Sequence, residues 1–470
     1  MKVNVVMLGD SYKYGHAFQY PKNMVFMQDY LTARRVQDNN GEVIFVGLQY
    51  ILKEYLSQKI TIEMIEEAKE FADLHGISFP YEGWKYIAEE LDGKLPIKIK
   101  ALPEGTAVPA QIPMVLIEST DKKVPWVVGF VETLLMKVWY PTTVATKSKE
   151  VYDMLCKYGD PEWAKFAYHN FGDRSMTSVE SAAISGFAHN TIFLGTDNFH
   201  SLKFCRDYYH EKISSYSVFA TEHSTTTANA SIDGEEEFVY RMLLENPNAP
   251  IMSFVADSYD VFKFTDMVTN PSGKIRKLLS ERPNQKLVIR PDSGDPIEVL
   301  GKMLKIMLVN GVFDQFSNSK YFSSKYGILW GDGINKDTIK NILETFTVKG
   351  YKDLPLIAAE TFVFGSGTYI GQTGLTRDTY SFACKCSYIE TLENNEIKGH
   401  DVFKDPITDS GKKSLKGYLE VYKDKNGKLI CLQNPIPGID DKNLIPAMET
   451  VFLNGKIQKE YSLEDIRKKI

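Results

Sequence analysis

The fold of this chain is decided by residues 287–296, which read Leu-Val-Ile-Arg-Pro-Asp-Ser-Gly-Asp-Pro. An apolar run of strand-forming residues ends on an arginine and an aspartate, and the start of a helix follows at once. Asp295 can cap that helix, Pro296 suits its first turn, and Glu298 stands three residues after the cap. Apolar residues then recur at helical spacing as far as Gly311. The stretch therefore predicts a strand and a helix, the unit of a parallel α/β sheet.

Four other stretches make the same change from an apolar run to charged or glycine-rich residues: 165–174, 191–197, 252–258 and 327–333. Each predicts a buried strand, and a second helix is predicted after the last of them, over 335–346. In an α/β barrel the carboxyl ends of the strands meet on one face, which holds the active site. We therefore predict an irregular α/β barrel whose strand ends bind a phosphorylated, hydroxylated ligand, with or without a metal ion.

The rest of the chain has a different texture. Residues 1–150 mix helices with strand-like segments, and the residues after 385 read as hairpins around two Asn-Gly turns, at 426–427 and 454–455. We predict that residues 1–150 and 385–470 together form a β-rich α+β domain. Residues 151–384 are predicted to form the barrel-like catalytic domain.

Composition limits the classes of function. The chain has 470 residues and a net charge of −6, from 55 basic and 61 acidic residues, so it lacks the basic footprint of a nucleic-acid-binding protein. No apolar run approaches the roughly 20 residues that span a bilayer, and the first residues are too short an apolar stretch for a secretory signal. Five cysteines, an odd number, suggest reduced thiols. We expect a cytoplasmic enzyme with no nucleic-acid or membrane partner.

Several residues suggest chemistry. His223 stands among Glu222 and hydroxyl side chains, and could be a base, a nucleophile, a phosphate acceptor or a hydrogen-bonded structural residue. Asp257, Asp292 and Asp332 each follow a predicted strand, where carboxylates can hold Mg²⁺ or bind ribose hydroxyls. For Asp257 the alternative is capping of the helix that follows it.

Two further groups suggest anion binding. Gly365-Ser-Gly367 follows an apolar run, and a glycine turn there lets backbone N–H groups approach a phosphate. A basic group made of Arg377, Lys385, Lys404, Lys412 and Lys413 follows it, as a solvated face or as an anion funnel. Cys384 and Cys386 are predicted to be two strand residues that point to the same side.

Taken together, these segments resemble the nicotinamide phosphoribosyltransferases, of the type II phosphoribosyltransferase family. The resemblance runs through nearly the whole chain and includes Asp10-Ser-Tyr-Lys, Phe171-Gly-x-Arg, Gly195-Thr-Asp, Glu222-His-Ser-Thr, Ile289-Arg-Pro-Asp-Ser-Gly, Gly331-Asp-Gly and Leu375-Thr-Arg-Asp. It implies a pentosyltransferase of NAD salvage that joins nicotinamide to phosphoribosyl pyrophosphate, with Mg²⁺ and with ATP hydrolysis coupled through a phosphohistidine. It also implies a homodimer whose two sites lie at the subunit interface.

The resemblance assigns a role to each matching residue. Phe171 and Tyr12 of the other subunit would stack on the pyridine ring, and Asp197 would accept from the carboxamide. His223 would take the phosphoryl group, with Asp257 near it, and Mg²⁺ would be held by Asp257 and Asp292. The remaining matches concern ribose (Asp292, Gly331 and Asp332), the 5′-phosphate (Gly367, Thr368 and the other subunit's Arg377) and the amide oxygen and diphosphate (Arg290, Arg174 and, from the other subunit, Arg34, Lys385, Lys404 and Lys412).

The chain departs from the family pattern at a few positions. Thr368 stands where the family continues with glycine, and the segment 367–374 is one residue longer. Asn170 and Asp173 flank Phe171 where an aspartate and a tyrosine are expected, and Thr221 replaces a small apolar residue.

Three alternatives stay open. A nicotinate phosphoribosyltransferase shares the fold and is distinguished at Asp197, because a carboxylate there repels the acid. A barrel aldolase or phosphatase acting on sugar phosphates, and a non-catalytic binding protein on the same scaffold, are more distant.

Overall fold

The computed structural model describes residues 3–37, 39–316, 320–408, 413–436 and 444–470. The chain divides into two compact units. The first comprises Met1–Lys147, Phe204–Lys212 and Gly374–Ile470, and the second comprises Ser148–Lys203 and Ile213–Thr373. The domain boundaries at 150 and 384 stay a prediction. The two compact units differ from them mainly in that residues 204–212 and 374–384 belong to the first unit.

A parallel sheet forms the centre of the second unit. Its six strands, in chain order, are β1 (Tyr168–Asn170), β2 (Phe219–Ala220), β3 (Ile251–Val255), β4 (Lys286–Arg290), β5 (Tyr326–Trp330) and β6 (Phe362–Ser366). Their order across the sheet is β1-β6-β5-β4-β3-β2, and every neighbouring pair is parallel. All six carboxyl ends therefore lie on the same edge.

The sheet continues beyond β1 through two isolated parallel bridges, from Asn170 to Thr196 and from Gly195 to Tyr216. Tyr216 is only three residues before β2, so the sheet curls back toward its other edge. This confirms the predicted irregular α/β barrel. The prediction of a full strand over 191–197 was wrong, because the helix Val179–Asn190 ends in turns in which Ile192 and Phe193 both donate to the His189 carbonyl.

Helices connect the strands in the pattern that the sequence predicted. The helix after β4 is Pro296–Val309, and Asp295 caps it by accepting from the Glu298 N–H at 2.9 Å. The predicted helix over 335–346 is Lys336–Glu344, capped by Asn335. The other helices among the described residues of the middle of the chain are Pro161–Phe166, Val179–Asn190, Phe199–Tyr209, His223–Asp233, Glu235–Glu245, Val261–Thr269, Lys274–Ser280 and Thr368–Gly371.

Strands β1 and β3 to β6 are largely buried on both faces, as expected when helices cover a parallel sheet, whereas both residues of the edge strand β2 are exposed. Leu287, Ile289, Ile328, Phe254 and Phe364 are at most 1% exposed. Burying one such side chain completely contributes about 1.5–3 kcal/mol. The rigid sheet that results fixes the positions of the residues just past each strand.

An antiparallel sheet organises the first unit, and strands from both ends of the chain build it. Its order is Glu396–Asp401, Phe382–Glu393, Met24–Ala33, Val115–Ser119, Ile97–Ala101, Glu449–Leu453 and Lys456–Ile457. Smaller antiparallel groups are formed by Glu42–Ile44 with Ala107–Pro109 and by Leu419–Lys423 with Leu429–Gln433 and Ile445–Pro446. The predicted β-rich domain built from both termini is confirmed. Cys384 and Cys386 alternate with Lys385 on one strand, as predicted.

Short helices complete this unit: Ser11–His16, Leu48–Ile51, Ile62–His75, Tyr81–Glu90, Val127–Phe130, Glu132–Leu135 and Leu463–Arg467, and the helix Trp139–Leu155 follows. Thr61 caps the third of these, and Gly76 ends it in the left-handed region with φ 77°. Of the helices in the described ranges, none has the length and apolar character needed to cross a membrane.

Candidate active site

Polar side chains gather at the carboxyl ends of the strands of the second unit. A cleft opens there. It brings together eight residues that the sequence singled out: Phe171, Arg174, Arg290, Asp292, Gly331, Asp332, Gly367 and Thr368. Ser175, Asn335, Ser366, Tyr369 and Thr373 also line it. Side chains from the loops after β1, β4, β5 and β6 thus face one space that can hold a ligand.

Glycines make this arrangement possible. A Cβ at position 365 would lie 1.9 Å from Cε2 of Phe171, so only glycine on β6 leaves room for that ring. A Cβ at position 331 would lie 2.7 Å from Oδ1 of Asp292. The glycine-rich ends of β5 and β6 therefore give space to functional side chains from neighbouring strands, and are not merely turns.

Arg290 lies beside the Phe171 ring. Its guanidinium carbon is 5.8 Å from the ring centroid, and its Nη2 is 3.4 Å from Oδ2 of Asp292. The Arg290 Nε is buried and has no hydrogen-bond acceptor among the described residues. Arg290 is thus held by an aromatic face and an acid and retains an unused donor.

The loop after β5 is also fixed. The indole N–H of Trp330 donates to the Asp332 carbonyl at 2.7 Å, and the Ser366 hydroxyl donates to the Ile334 carbonyl at 3.2 Å. These bonds hold the segment of Gly331 and Asp332 against the end of β6. Two acids, Asp292 and Asp332, consequently line the same cleft as Arg174 and Arg290.

Asp197 is joined to this edge through backbone and side chain, although it does not line the cleft described above. Its N–H donates to the Asn170 carbonyl at 2.9 Å, which places it next to the end of β1. Its Oδ1 accepts from the Ser217 hydroxyl at 2.5 Å. Sequence reasoning missed Ser217, because nothing in its local pattern shows that residue 217 pairs with residue 197.

His223 begins the helix His223–Asp233 at the end of β2. Its Nε2 is 3.0 Å from Oδ1 of Asp257, which is 8% exposed, while the imidazole itself is 48% exposed. Since a carboxylate only accepts, His223 donates from Nε2, and Nδ1 is the ring nitrogen that Asp257 does not engage. The other oxygen of Asp257 accepts from the Ser293 hydroxyl. Sequence reasoning missed Ser293 in this role.

The alternative reading of Asp257 as a helix cap is wrong. The helix Val261–Thr269 is capped by Asp260, which accepts from the N–H groups of Phe262 and Lys263. Asp257 is therefore available to His223. Glu222 does not contact the imidazole by a hydrogen bond within the described ranges. It caps the His223 helix together with Thr225.

Three of the departures from the family pattern, at Asn170, Asp173 and Thr221, have structural explanations. Asn170 accepts from the Gly172 N–H at 2.7 Å and so shapes the turn at Phe171. Asp173 pairs with His200, whose Nδ1 is 2.8 Å from its Oδ2. The Thr221 hydroxyl accepts from the Val255 N–H at 3.0 Å, which anchors the start of the His223 loop to β3.

The first unit has a cleft of its own. Tyr12, Arg34, Arg377 and Lys385 line it, and these are the residues that the resemblance assigns to the other subunit. Arg34 is oriented by donating from Nε to the Ser381 carbonyl at 3.1 Å. Lys404 does not line this cleft, and Lys412 lies outside the described residues.

A buried charged group adjoins this second cleft. Lys13 pairs with Glu132, which lines the cleft, and Asp29 is fully buried with one oxygen lacking a partner among the described residues. Burial, together with repulsion from the Glu132 carboxylate, raises the pKa of Asp29 to about 7. Burial also raises the pKa of the Cys386 thiol, which stands opposite Asp29 in the sheet. Sequence patterns alone did not predict this buried group.

The residues predicted to hold Mg²⁺ suit a shared ion rather than a protein cage. Within the described ranges, no group of three or more His, Cys, Asp and Glu side chains is placed to hold a metal. Asp257 already accepts two hydrogen bonds, and Asp292 lies in a cleft with open space. One or two carboxylates completed by water and substrate phosphates form the usual site of Mg²⁺.

A curled parallel sheet with acids, arginines and a glycine-lined recess at its carboxyl edge is typical of barrel enzymes that act on phosphorylated sugars. Comparison with known proteins agrees. Residues 166–456 match the nicotinate phosphoribosyltransferase family, and residues 4–99 match the N-terminal domain of nicotinamide phosphoribosyltransferase. Because the first match covers more than half of the chain, the chain belongs to the nicotinate phosphoribosyltransferase family.

Individual relatives extend over the full length. The chain is 37% identical to a nicotinamide phosphoribosyltransferase of Xanthomonas campestris, covering 99% of this chain and 97% of the relative. It is 28% identical to one of Acinetobacter baylyi, covering 100% and 97%. A crystal structure of nicotinate-nucleotide pyrophosphorylase from Pyrococcus furiosus has the same fold, with a TM-score of 0.61 at 15% identity over 99% of this chain and 94% of that one.

Proposed function

We propose that the chain is a nicotinamide phosphoribosyltransferase of NAD biosynthesis, which converts nicotinamide and phosphoribosyl pyrophosphate to nicotinamide mononucleotide and pyrophosphate. The observation that supports this most is the convergence of Phe171, Arg290, Asp292 and Asp332 on one cleft. An aromatic face, a guanidinium and two acids are the groups that a pyridine ring, a diphosphate and a ribose require. The names of two full-length relatives agree with it.

The base would lie against Phe171, with its carboxamide directed to Asp197. The hydroxyl of Ser217 holds Oδ1 of Asp197 and leaves the other oxygen to accept from the amide N–H₂. A carboxylate at this place repels nicotinate, which bears a negative charge where nicotinamide has an amide. This favours nicotinamide over the closest alternative, a nicotinate phosphoribosyltransferase.

The reaction needs stabilisation of two opposite charges. As the ring nitrogen attacks C1 of ribose, the bond from C1 to the diphosphate breaks, and the diphosphate leaves with the electron pair. Positive charge grows on the sugar near Asp292 and Asp332, and negative charge grows on the leaving group near Arg174 and Arg290. Groups fixed in place before the reaction stabilise both charges without reorganising. Mg²⁺ bound to Asp257, Asp292 and the phosphates would supply further positive charge to the leaving group.

ATP would act through His223. Transfer of the γ-phosphoryl group to Nδ1 releases ADP, and water later removes the phosphoryl group as inorganic phosphate. Asp257 accepts the hydrogen bond that Nε2–H donates and would stabilise the imidazole as Nδ1 forms its bond. The phosphoryl group adds negative charge near the cleft and can share Mg²⁺ with the substrate.

A homodimer with shared sites would complete the cleft. Tyr12, Arg34, Arg377 and Lys385 lie together in the first unit, and Lys404 and Lys412 are assigned to the same task by resemblance. Tyr12 is 61% exposed, which suits a ring that stacks on a ligand of another subunit. A cytoplasmic location stays a prediction from composition.

The proposal is tested by incubating the purified chain with nicotinamide, phosphoribosyl pyrophosphate and Mg²⁺, and measuring the mononucleotide by chromatography. Formation of nicotinamide mononucleotide and pyrophosphate in equal amounts is expected. Arg290→Ala should lower kcat/KM by about 100-fold or more. His400→Ala is the matched surface control, since the His400 imidazole contacts the hairpin residues Thr391 and Glu393 and does not line either cleft. Absence of product with every pyridine base would favour a non-catalytic binding protein.

A further inference from the structure

His200 contacts a residue of the active-site loop without facing the cleft itself. Its Nδ1 lies 2.8 Å from Oδ2 of Asp173, with the two side chains 51% and 35% exposed. Asp173 and Arg174 are successive residues of the 3-10 turn Asp173–Ser175, which follows Phe171. His200 is three residues after Asp197, so the pair links the loop after β1 to the loop that presents the carboxamide acceptor.

Arg174 is the residue that gains from this contact. It is exposed and lines the cleft, and it forms no ion pair with any described residue. An acid stands next to it in sequence, and this acid is turned away. Elsewhere in the same chain a neighbouring acid is not turned away: Arg377 pairs with Asp378 at 2.8 Å. Adjacent arginine and aspartate can therefore pair in this protein when nothing else binds the aspartate.

We propose that His200 is a positioning residue that holds the Asp173 carboxylate away from Arg174, so that Arg174 stays available to the diphosphate of the substrate. This inference rests on the proposed function. Without His200, Asp173 is free to turn toward Arg174, where it neutralises the guanidinium and repels an incoming diphosphate. Specificity for a phosphorylated substrate then depends on a histidine that does not touch it.

Two features limit the effect to the diphosphate. Neither Asp173 nor His200 lines the cleft, and within the described ranges no hydrogen bond joins His200 to Ser217 or Asp197. The chemical step is therefore expected to keep its rate at saturating substrate. The effect of removing His200 is expected in the KM for phosphoribosyl pyrophosphate, by about two- to fivefold, the range for an exposed pair of polar side chains.

The experiment compares four variants with the wild type by steady-state kinetics, and by calorimetric binding of inorganic pyrophosphate, which needs no turnover. His200→Ala should raise the KM for phosphoribosyl pyrophosphate and weaken pyrophosphate binding, with kcat and the KM for nicotinamide unchanged. His200→Asn places an amide N–H close to the position of Nδ1 and should restore the wild-type values. His200→Ala with Asp173→Asn should also restore them, because the competing charge is gone. Asp173→Asn alone should bind the diphosphate at least as well as the wild type.

Melting temperatures identify any variant that fails to fold. If His200→Ala does not fold, the diphosphate binding of Asp173→Asn and His200→Asn still tests the inference. An unchanged KM in folded His200→Ala, or a double variant as weak as His200→Ala, would overturn the inference, as would weaker binding by Asp173→Asn. His400→Ala, which removes another exposed histidine paired with an acid, should match the wild type. A wild-type chain that makes no mononucleotide at all contradicts the proposed function instead, so the two failures are distinguishable.

Discussion

The Phe171 ring lies directly over Gly365, so closely that a Cβ at position 365 would stand 1.9 Å from the ring. We predict that Gly365→Ala displaces the ring from the cleft and raises the KM for nicotinamide by about tenfold or more, since overpacking of this kind costs about 1–3 kcal/mol. In a Phe171→Ala background the same change should cost much less, because the clash is gone. Equal losses in both backgrounds, measured by kcat/KM, would contradict this relationship.

The proposed phosphorylation of His223 is expected at one particular ring nitrogen. Asp257 occupies Nε2, so phosphorylation by ATP is expected at Nδ1. Incubation with ATP and Mg²⁺ followed by ³¹P NMR of the denatured protein distinguishes the two phosphohistidine isomers. His223→Ala should give no phosphoenzyme and should retain slow, ATP-independent synthesis. Detection of the Nε2 isomer would show that the His223–Asp257 contact is not the one used in the reaction.

The buried acid Asp29 gives a pH-dependent stability. Its pKa is about 7 in the folded protein against an ordinary value of 3.8. The folded state therefore binds this proton more tightly, and the stability it contributes is complete below pH 3.8 and is lost as the pH rises to 7. Asp29→Asn should gain stability over the wild type across that interval, by up to about 4 kcal/mol at roughly 1.4 kcal/mol per pKa unit.

Urea unfolding at several pH values between 4 and 8 measures this difference. The exposed Asp73→Asn is the control, as Asp73 is 60% exposed and pairs with Lys69 on the same helix. It should follow the wild-type curve. Parallel pH curves for Asp29→Asn and the wild type would show that Asp29 is ionised in the folded protein at neutral pH.

Much of this architecture could be predicted from local patterns. The helix Pro296–Val309 was predicted from its cap, its proline and its apolar spacing, and the strand ends after β1, β3, β4 and β5 follow from apolar runs. The strand predicted over 191–197 does not form, because the first residues of that stretch belong to the turns that end the helix Val179–Asn190. The periodicity of apolar residues does not show at which residue a helix ends when an apolar stretch follows it directly.

The partners of the functional residues could not be predicted in this way. Ser217 binds Asp197, Ser293 binds Asp257, and His200 binds Asp173, across 20 to 36 residues of sequence. Each of these contacts exists because two loops meet at the carboxyl edge of a curled sheet. The local sequence around a serine or histidine in such a loop does not show whether a second loop lies within hydrogen-bonding distance of it.

The proposed homodimer with shared sites makes a distinct prediction about mixtures of two variants. Each proposed site combines the second unit of one subunit with the first unit of the other. Phe171→Ala disables the part that the second unit contributes, and Arg377→Ala disables the part that the first unit contributes. When the two inactive variants are mixed and allowed to exchange subunits, half of the dimers are mixed, and each of these has one intact site of two. About a quarter of the wild-type activity should return. No recovery, with subunit exchange verified by mass spectrometry, would show that each subunit works alone.

The central claim is the choice of base, and the ratio of kcat/KM for nicotinamide to that for nicotinate measures it most directly, with and without ATP. In the proposed function Asp197 accepts from the amide of nicotinamide and repels the acid, and a hydrogen bond to a charged group contributes about 1.5–3 kcal/mol. We predict that the wild type favours nicotinamide by about tenfold or more, and that Asp197→Ser shifts the ratio toward nicotinate. A wild-type chain that uses nicotinate better than nicotinamide would contradict the account.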